Sequence, residues 1–427
     1  MIGLVDGNNF FVSCERVFNR HLLGKRVAVL SNNDGCCVAM SPEFKALGIK
    51  RGTPYFQLRD REERDGLIFL SSNYELYGDI SRRIISVLKE EAVEVEQYSI
   101  DEAFILPPRF DQKEGFAAES QALFDYGKRL RAKIFRWTGI PCGIGFAPTK
   151  TLAKIANHAA KKLPDGVLVL PEDPTEILRT LPVGEVWGVG RRLVKKLDFE
   201  LIRTALDLRE APLDKIRSIG GVTLARTQME LKGVPCTEER DYEARPDSVS
   251  CSRSFGETVE DVEALSQSIA SFIAQAATKL RKHRLFAAGC NIYAQTTDLA
   301  FEGRTVMFPK PTDSTVEMLQ AVRSEIEALY RPGARYRKSG IVFFGLEAAD
   351  GLKQGDLFED FAAEKDGKAA AEKSPSELYR VIDELNSKLG KGSVFSAAEG
   401  IEKKWKIKRS MLSKRATTNW QELPGVK

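Results

Sequence analysis

The chain has 427 residues, 43% of them hydrophobic and 29% charged, which is ordinary globular material too long for a single core, so three or four domains are expected. No apolar run approaches a membrane span, and Met1 leads straight into Ile-Gly-Leu-Val-Asp without a basic n-region or an h-region, so a cytoplasmic protein with no membrane association is expected. A net charge of +4 excludes nothing, but seven cysteines without a CxxC pair argue against a disulfide frame or zinc site, and three scattered histidines leave little for a His-based metal site or a Ser-His-Asp triad.

In chain order, residues 1–10 read as a strand, and a short mixed segment with Gly and Pro punctuation runs to about residue 71. The pattern then predicts a helix over 77–90, strands over 93–100 and 103–106 joined by a turn at Asp101-Glu102, a helix over 117–137, a strand over 142–147 and a helix over 149–162. Mixed helices and antiparallel strands of this kind predict an α+β sheet packed on one face by helices. Residues 168–238 are helical and short-linked, 240–246 form a charged linker, and 248–347 alternate strands and helices again. Residues 348–376 have no periodic apolar face and read as a flexible tail, and a helical, basic stretch over 377–427 follows.

Three carboxylates interrupt apolar stretches: Asp6 in Ile2-Gly3-Leu4-Val5-Asp6, and Asp101-Glu102 in Tyr98-Ser99-Ile100-Asp101-Glu102-Ala103-Phe104. A buried carboxylate needs a cation, a proton or a metal, and no Lys or Arg lies within five residues of any of the three. A hard divalent ion with oxygen ligands answers the need, and a turn at Asp101-Glu102 lets both side chains converge where a straight strand would not. That combination points to phosphoryl transfer.

Basic residues recur in local groups, although any one group reads as a solvated helix face. Behind the capping Thr149, Lys150, Lys154 and Lys161 fall at spacings of four and seven, one cationic stripe on one helix face and suited to a triphosphate or backbone phosphates. The run Trp187-Gly188-Val189-Gly190-Arg191-Arg192-Leu193-Val194-Lys195-Lys196 has the form of a helix-hairpin-helix, in which glycines let backbone N–H groups approach a DNA phosphate. Gly220-Gly221 ends a second, similar helical pair, and Lys279, Arg281, Lys282 and Arg284 supply a further basic group for sequence-blind phosphate contacts.

At these residues the chain resembles the Y-family translesion DNA polymerases over about residues 1–347, and within them the UmuC-type branch. Ser71-Ser72-Asn73-Tyr74-Glu75-Leu76-Tyr77, Tyr98-Ser99-Ile100-Asp101-Glu102-Ala103-Phe104, Thr149-Lys150-Thr151-Leu152-Ala153-Lys154 and Cys251-Ser252-Arg253-Ser254-Phe255-Gly256-Glu257 carry the likeness in order and spacing. The resemblance implies a right-hand polymerase: a ferredoxin-like palm (1–10 and 72–167), small fingers (11–71), a helix-hairpin-helix thumb (168–239), an α/β little finger (246–347), a tail (348–376) and a UmuC-type C-terminal extension (377–427). It implies that Asp6, Asp101 and Glu102, with the Gly7 carbonyl, hold two Mg²⁺ ions, and that Phe11, beside Phe10, is the steric gate under the incoming sugar. Phe10, Lys45 and Lys161 would contact the nucleotide together with Phe11, although Pro42 and Lys45 stand where many relatives have Tyr and Arg. Gly188, Gly190, Arg191, Arg192 and Lys195 would contact DNA. Gln354-Gly355-Asp356-Leu357-Phe358 resembles a clamp-binding motif anchored by Gln354, Leu357 and Phe358. Implied partners are primer-template DNA, dNTPs, a processed UmuD dimer, a RecA filament and the β sliding clamp, at the bacterial nucleoid. The implied activity is error-prone translesion synthesis in the SOS response, against which stand a palm-type nucleotidyl cyclase and a non-catalytic DNA-binding scaffold. Fingers this small predict loose shape checking and low fidelity.

Overall fold

The computed structural model describes residues 1–110, 115–236, 246–348, 375–390 and 392–425. The chain forms two compact units, Met1–Tyr242 with Met411–Lys427, and Glu243–Ser410. The α+β multi-domain expectation holds. Among the described residues no helix is long and apolar enough to cross a membrane.

In the first unit the elements run β1 (Ile2–Gly7), α1 (Phe10–Phe18), β2 (Arg26–Leu30), β3 (Cys37–Met40), α2 (Pro42–Lys45), α3 (Glu62–Asp65), β4 (Leu67–Ser71), α4 (Tyr74–Glu91), β5 (Glu94–Gln97), β6 (Glu102–Leu106), α5 (Phe116–Thr138), β7 (Cys142–Ala147), α6 (Lys150–Ala160) and β8 (Val167–Val169). Five of the strands form one sheet in the order β5-β6-β1-β7-β8, with β1 antiparallel to both neighbours. Period-two alternation sends Val5 into a core with Leu76 and Ile80 of α4 and Leu123 and Leu130 of α5. Leu4 goes the other way, to Leu152 and Ile155 of α6. Helices therefore cover both faces of the sheet, not the one face that was expected.

Glycine explains the second layer. Gly145 pairs with Leu4 on the α6 face, and a Cβ there would lie 2.1 Å from the backbone nitrogen of Asn157. The α6 backbone thus rests directly on β7, and the Asn157 amide locks it by donating to the carbonyls of Leu4 (3.2 Å) and Gly143 (2.7 Å).

A smaller sheet, β3-β2-β4, carries the finger segment over its own core of Leu30, Met40, Phe44 and Phe69. Beyond β8, α7 (Thr175–Thr180), α8 (Arg191–Phe199), α9 (Ala205–Glu210) and α10 (Leu213–Leu231) complete the unit, with α10 kinked at Gly221, where φ is +68°. Buried Glu230 of α10 ties this helical part to α6, accepting from the Thr151 backbone N–H (2.8 Å) and hydroxyl (2.6 Å).

The second unit is a four-stranded antiparallel sheet, β11-β10-β12-β9, made of β9 (Val249–Val259), β10 (Leu285–Thr296), β11 (Phe301–Thr312) and β12 (Tyr336–Ala348), with α11 (Val262–Lys282) and α12 (Thr315–Leu329) packed on it. The terminal extension does not form a body of its own. Its helix α13 (Pro375–Leu389) is held by Asp383, which takes Arg281 at 2.7 and 3.1 Å, and Trp405 fills the α11 core edge-on to Phe272. From Met411 onward the extension belongs to the first unit.

Candidate active site

β1 and β6 place Asp6 directly opposite Glu102 on the sheet face that α6 covers. Cross-strand partners of this kind hold their Cβ atoms about 5 Å apart, near enough for two carboxylates to feel each other. Asp101 sits in the preceding turn, its backbone carbonyl accepting from Gly7 N–H (2.9 Å) and its carboxylate from the Ser99 hydroxyl (2.6 Å). Burial pushes the Asp6 carboxyl up to about 6 against the opposing pull of Lys161, and the charges of Glu102 and Asp101 add to the rise.

The lysines of α6 and of its C-terminal cap face these acids, with Lys150 and Lys154 largely withdrawn from solvent and Lys161 still exposed. Lys161 pairs with Asp6 at 2.7 Å, Lys154 with Glu102 at 2.9 Å, and Lys150, only 5% exposed, with Glu96. Lys154 also lies over the rings of Tyr98, Phe104 and Trp187. Cations distant in sequence thus reach the carboxylates through α6, a compensation that the absence of a nearby Lys or Arg in the sequence did not reveal. Among the described residues no three His, Cys, Asp or Glu side chains are gathered tightly enough to hold an ion in this arrangement. The donor set itself, carboxylates and a backbone carbonyl, is all oxygen and suits a hard divalent cation.

Phe10 and Phe11 open α1 and separate in role. Phe10 is 2% exposed in the core and contributes packing, which removes it from the nucleotide contacts expected of it. Phe11 is only partly buried, stacked on Tyr77 (centroids 4.4 Å, planes 14° apart) and edge-on to Tyr74. Lys45 is exposed and donates to the Asn9 side chain at 2.5 Å, with Asn9 in the left-handed region at φ +47° that Asn tolerates. The Lys45 ammonium is drawn down by partial burial and by the charges of Lys161 and Arg51. Arg51 was missed in the sequence because nothing in its loop signals that it returns to Lys45.

In the thumb segment Gly188 takes φ +86°, and Gly190 precedes α8 with no side-chain cap, no acidic residue in the first turn and open space where a Cβ would stand. Arg191, Arg192 and Lys195 project exposed from that uncapped end. In the second unit Arg281 is withdrawn from the expected phosphate contacts, its guanidinium 10% exposed and spent on Asp383, the Asp313 carbonyl and Thr315. Gln354, Leu357 and Phe358 lie outside the described residues.

This fold is that of the right-hand, Y-family DNA polymerases: the chain superposes on a Y-family polymerase chimera of Dbh and Dpo4 with a TM-score of 0.63 at 21% identity, covering 82% of this chain and all of that one. It belongs to the impB/mucB/samB family, whose model matches residues 5–158 and whose C-terminal-domain model matches residues 246–357. Residues 376–426 match a domain of unknown function. The chain is 40% identical to Protein UmuC of Salmonella typhimurium over the whole of both chains, and 27% identical to DNA polymerase IV 1 of Bacillus subtilis over 90% of each.

Proposed function

We propose that this chain is an error-prone, template-directed DNA polymerase of the translesion class, which joins the nucleotidyl group of a dNTP to a primer 3′-hydroxyl during the SOS response. The observation that carries the reading is the pairing of Asp6 with Glu102 across β1 and β6, each already matched to a lysine of α6, with Phe11 on the helix that follows β1. Asp6, Asp101, Glu102 and the Gly7 carbonyl are the groups that would hold two Mg²⁺ ions. Ions held there would supply Lewis-acid activation of the attacking hydroxyl and charge neutralisation of the triphosphate and departing pyrophosphate.

Lys161 and Lys154 hold the carboxylates in balance before substrate arrives. They would then exchange carboxylate oxygens for the phosphate oxygens of the incoming nucleotide, so that neither ammonium is left without a partner. Lys45 and Arg51 add positive potential for the phosphates as the triphosphate settles, whereas Pro42 offers no hydroxyl. The Phe11 ring excludes a 2′-hydroxyl and so favours deoxynucleotides. Gly188 and Gly190 let the α8 N-terminus take a DNA phosphate, with Arg191, Arg192 and Lys195 beside it.

Resemblance alone supports the further partners, a processed UmuD dimer, a RecA filament and the β sliding clamp, the last through Gln354, Leu357 and Phe358. Primer extension across an abasic template, by the full chain with and without those partners, tests the reading. A deoxynucleotide-extended primer that disappears with Asp6→Asn supports it, and a cyclic nucleotide or no product under every condition overturns it.

A further inference from the structure

The last segment of the chain reaches the aromatic stack that holds Phe11. Met411 and Ser71, the final residue of β4, are joined by two hydrogen bonds, one backbone to backbone and one to a side chain: Ser71 N–H donates to the Met411 carbonyl (2.9 Å), and Met411 N–H donates to the Ser71 hydroxyl (3.0 Å). Because β4 is an edge strand, its last residue is free to accept such a bridge. Two residues on, the Asn73 amide divides its work. Its oxygen caps α4 by accepting from Leu76 N–H, and its nitrogen donates to the Ser413 hydroxyl (2.9 Å) and to the carbonyls of Ser413 and Lys414.

The Ser413 hydroxyl then donates to Glu15 at 3.0 Å, on the same carboxyl oxygen that accepts from the Tyr77 hydroxyl at 2.6 Å. Glu15 is 3% exposed, and burial raises its carboxyl while these two donors oppose the rise. Such a group is costly unless satisfied, so the hydroxyl from the extension is part of what holds Tyr77 in place. Tyr77 in turn is the ring on which Phe11 stacks.

We propose that the segment Met411–Lys414 is a working part of the sugar-discriminating site: through Ser413 and Glu15 it fixes Tyr77, and through Tyr77 the plane of Phe11. Ser413 and Glu15 are positioning residues, which touch no substrate. The assignment rests on the reading of Phe11 as the ring beneath the incoming sugar, and it gives a role to part of a stretch that matches a domain of unknown function.

The test uses the full chain on a primer-template with matched dNTP and rNTP, reading the ratio of the two kcat/KM values. A variant that merely unfolds a fraction of the enzyme lowers both values together and leaves the ratio alone. Ser413→Ala is expected to lower discrimination roughly threefold to tenfold, as loss of one hydrogen bond to a buried carboxyl allows. Ser413→Thr, which keeps the hydroxyl, restores it. In a Tyr77→Phe background Ser413→Ala adds little, since the link is already cut. Phe11→Ala separates the two claims. If it abolishes discrimination while Ser413→Ala and Glu15→Gln leave the ratio at the parent value, the positioning role is wrong and the gate stands. If Phe11→Ala leaves the ratio unchanged, the gate falls and the positioning role falls with it.

Discussion

Gly145→Ala probes the contact on which the site is built. The added methyl would lie 2.1 Å from the nitrogen of Asn157, 2.6 Å from the carbonyl carbon of Ala156 and 2.7 Å from the Asn157 Cα, all backbone of α6. No side chain can swing aside, so α6 must retreat by about 1 Å merely to bring the 2.1 Å approach into the tight range above 3.0 Å. Overpacking of this kind costs about 1–3 kcal/mol, and stretching the Asn157 bonds to Leu4 and Gly143 adds about 1 kcal/mol each. A loss of about 3–5 kcal/mol is therefore expected in urea unfolding, and primer extension should fall further than stability alone accounts for, because Lys154 and Lys161 move with the helix. Gly143→Ala is the control, since its methyl would press the flexible Lys161 stem at 3.0 Å and should cost under about 1 kcal/mol. If Gly145→Ala unfolded within about 0.5 kcal/mol of the parent, direct seating of α6 on β7 would be refuted.

In metal-free protein the Asp6 carboxyl titrates near 6 against an ordinary 3.8, so between those values the folded state binds more protons than the unfolded one and stability falls as pH rises, up to about 3 kcal/mol for two pKa units. Asp6→Asn should flatten that slope and unfold later than the parent at pH 7.5; an unchanged slope between pH 4 and 6 would count against it. Glu230→Gln turns an amide N–H₂ toward donors from Thr151 and should cost about 2–3 kcal/mol in thermal or urea unfolding, with a shift under about 0.5 kcal/mol as the contrary result. Leu357→Ala combined with Phe358→Ala should abolish clamp pull-down while leaving primer extension in the absence of the clamp intact, and retention of the clamp would remove that motif from the reading. Nucleotide should tighten Mn²⁺ binding at least tenfold, read by the ion's relaxation signal, because the lysines need somewhere to go; equal affinity with and without nucleotide would contradict the exchange.

The strands and helices that frame the site were legible because each satisfies a local rule: β7 begins and ends at the predicted residues, and α6 starts one residue after its Thr149 cap. The acidic trio was legible as an anomaly, three charges in apolar sequence. What answers it was not, because Lys161 and Lys154 meet Asp6 and Glu102 only after α6 folds over the sheet, and sequence distance carries no trace of that. The stripe of three lysines was legible as one cationic face suited to phosphates, but the acids it meets, Glu96, Glu102 and Asp6, were not, because they come from other parts of the chain. Phe10 and Phe11 are identical letters, and only the first turn of α1 decides which points inward. Arg281 shows the same limit in the second unit, where Asp383 of α13 claims a guanidinium that read as a free phosphate contact. The extension read as one piece because its composition is uniform, whereas its hydrogen-bond partners divide it.

The return of Met411–Lys427 to the first unit sets a clock on the protein's own synthesis. The nascent chain has delivered everything else in that unit once Tyr242 is made, yet Ser413 follows 171 residues later (413 − 242). At ribosomal speeds of about 5–20 residues per second the interval is on the order of 10–30 s, during which Glu15 and Asn73 wait with groups unmet. A half-made polypeptide thus carries Tyr77 and Phe11 without the hydroxyl of Ser413, and on the proposed positioning role its selectivity toward the sugar would mature only as translation finishes.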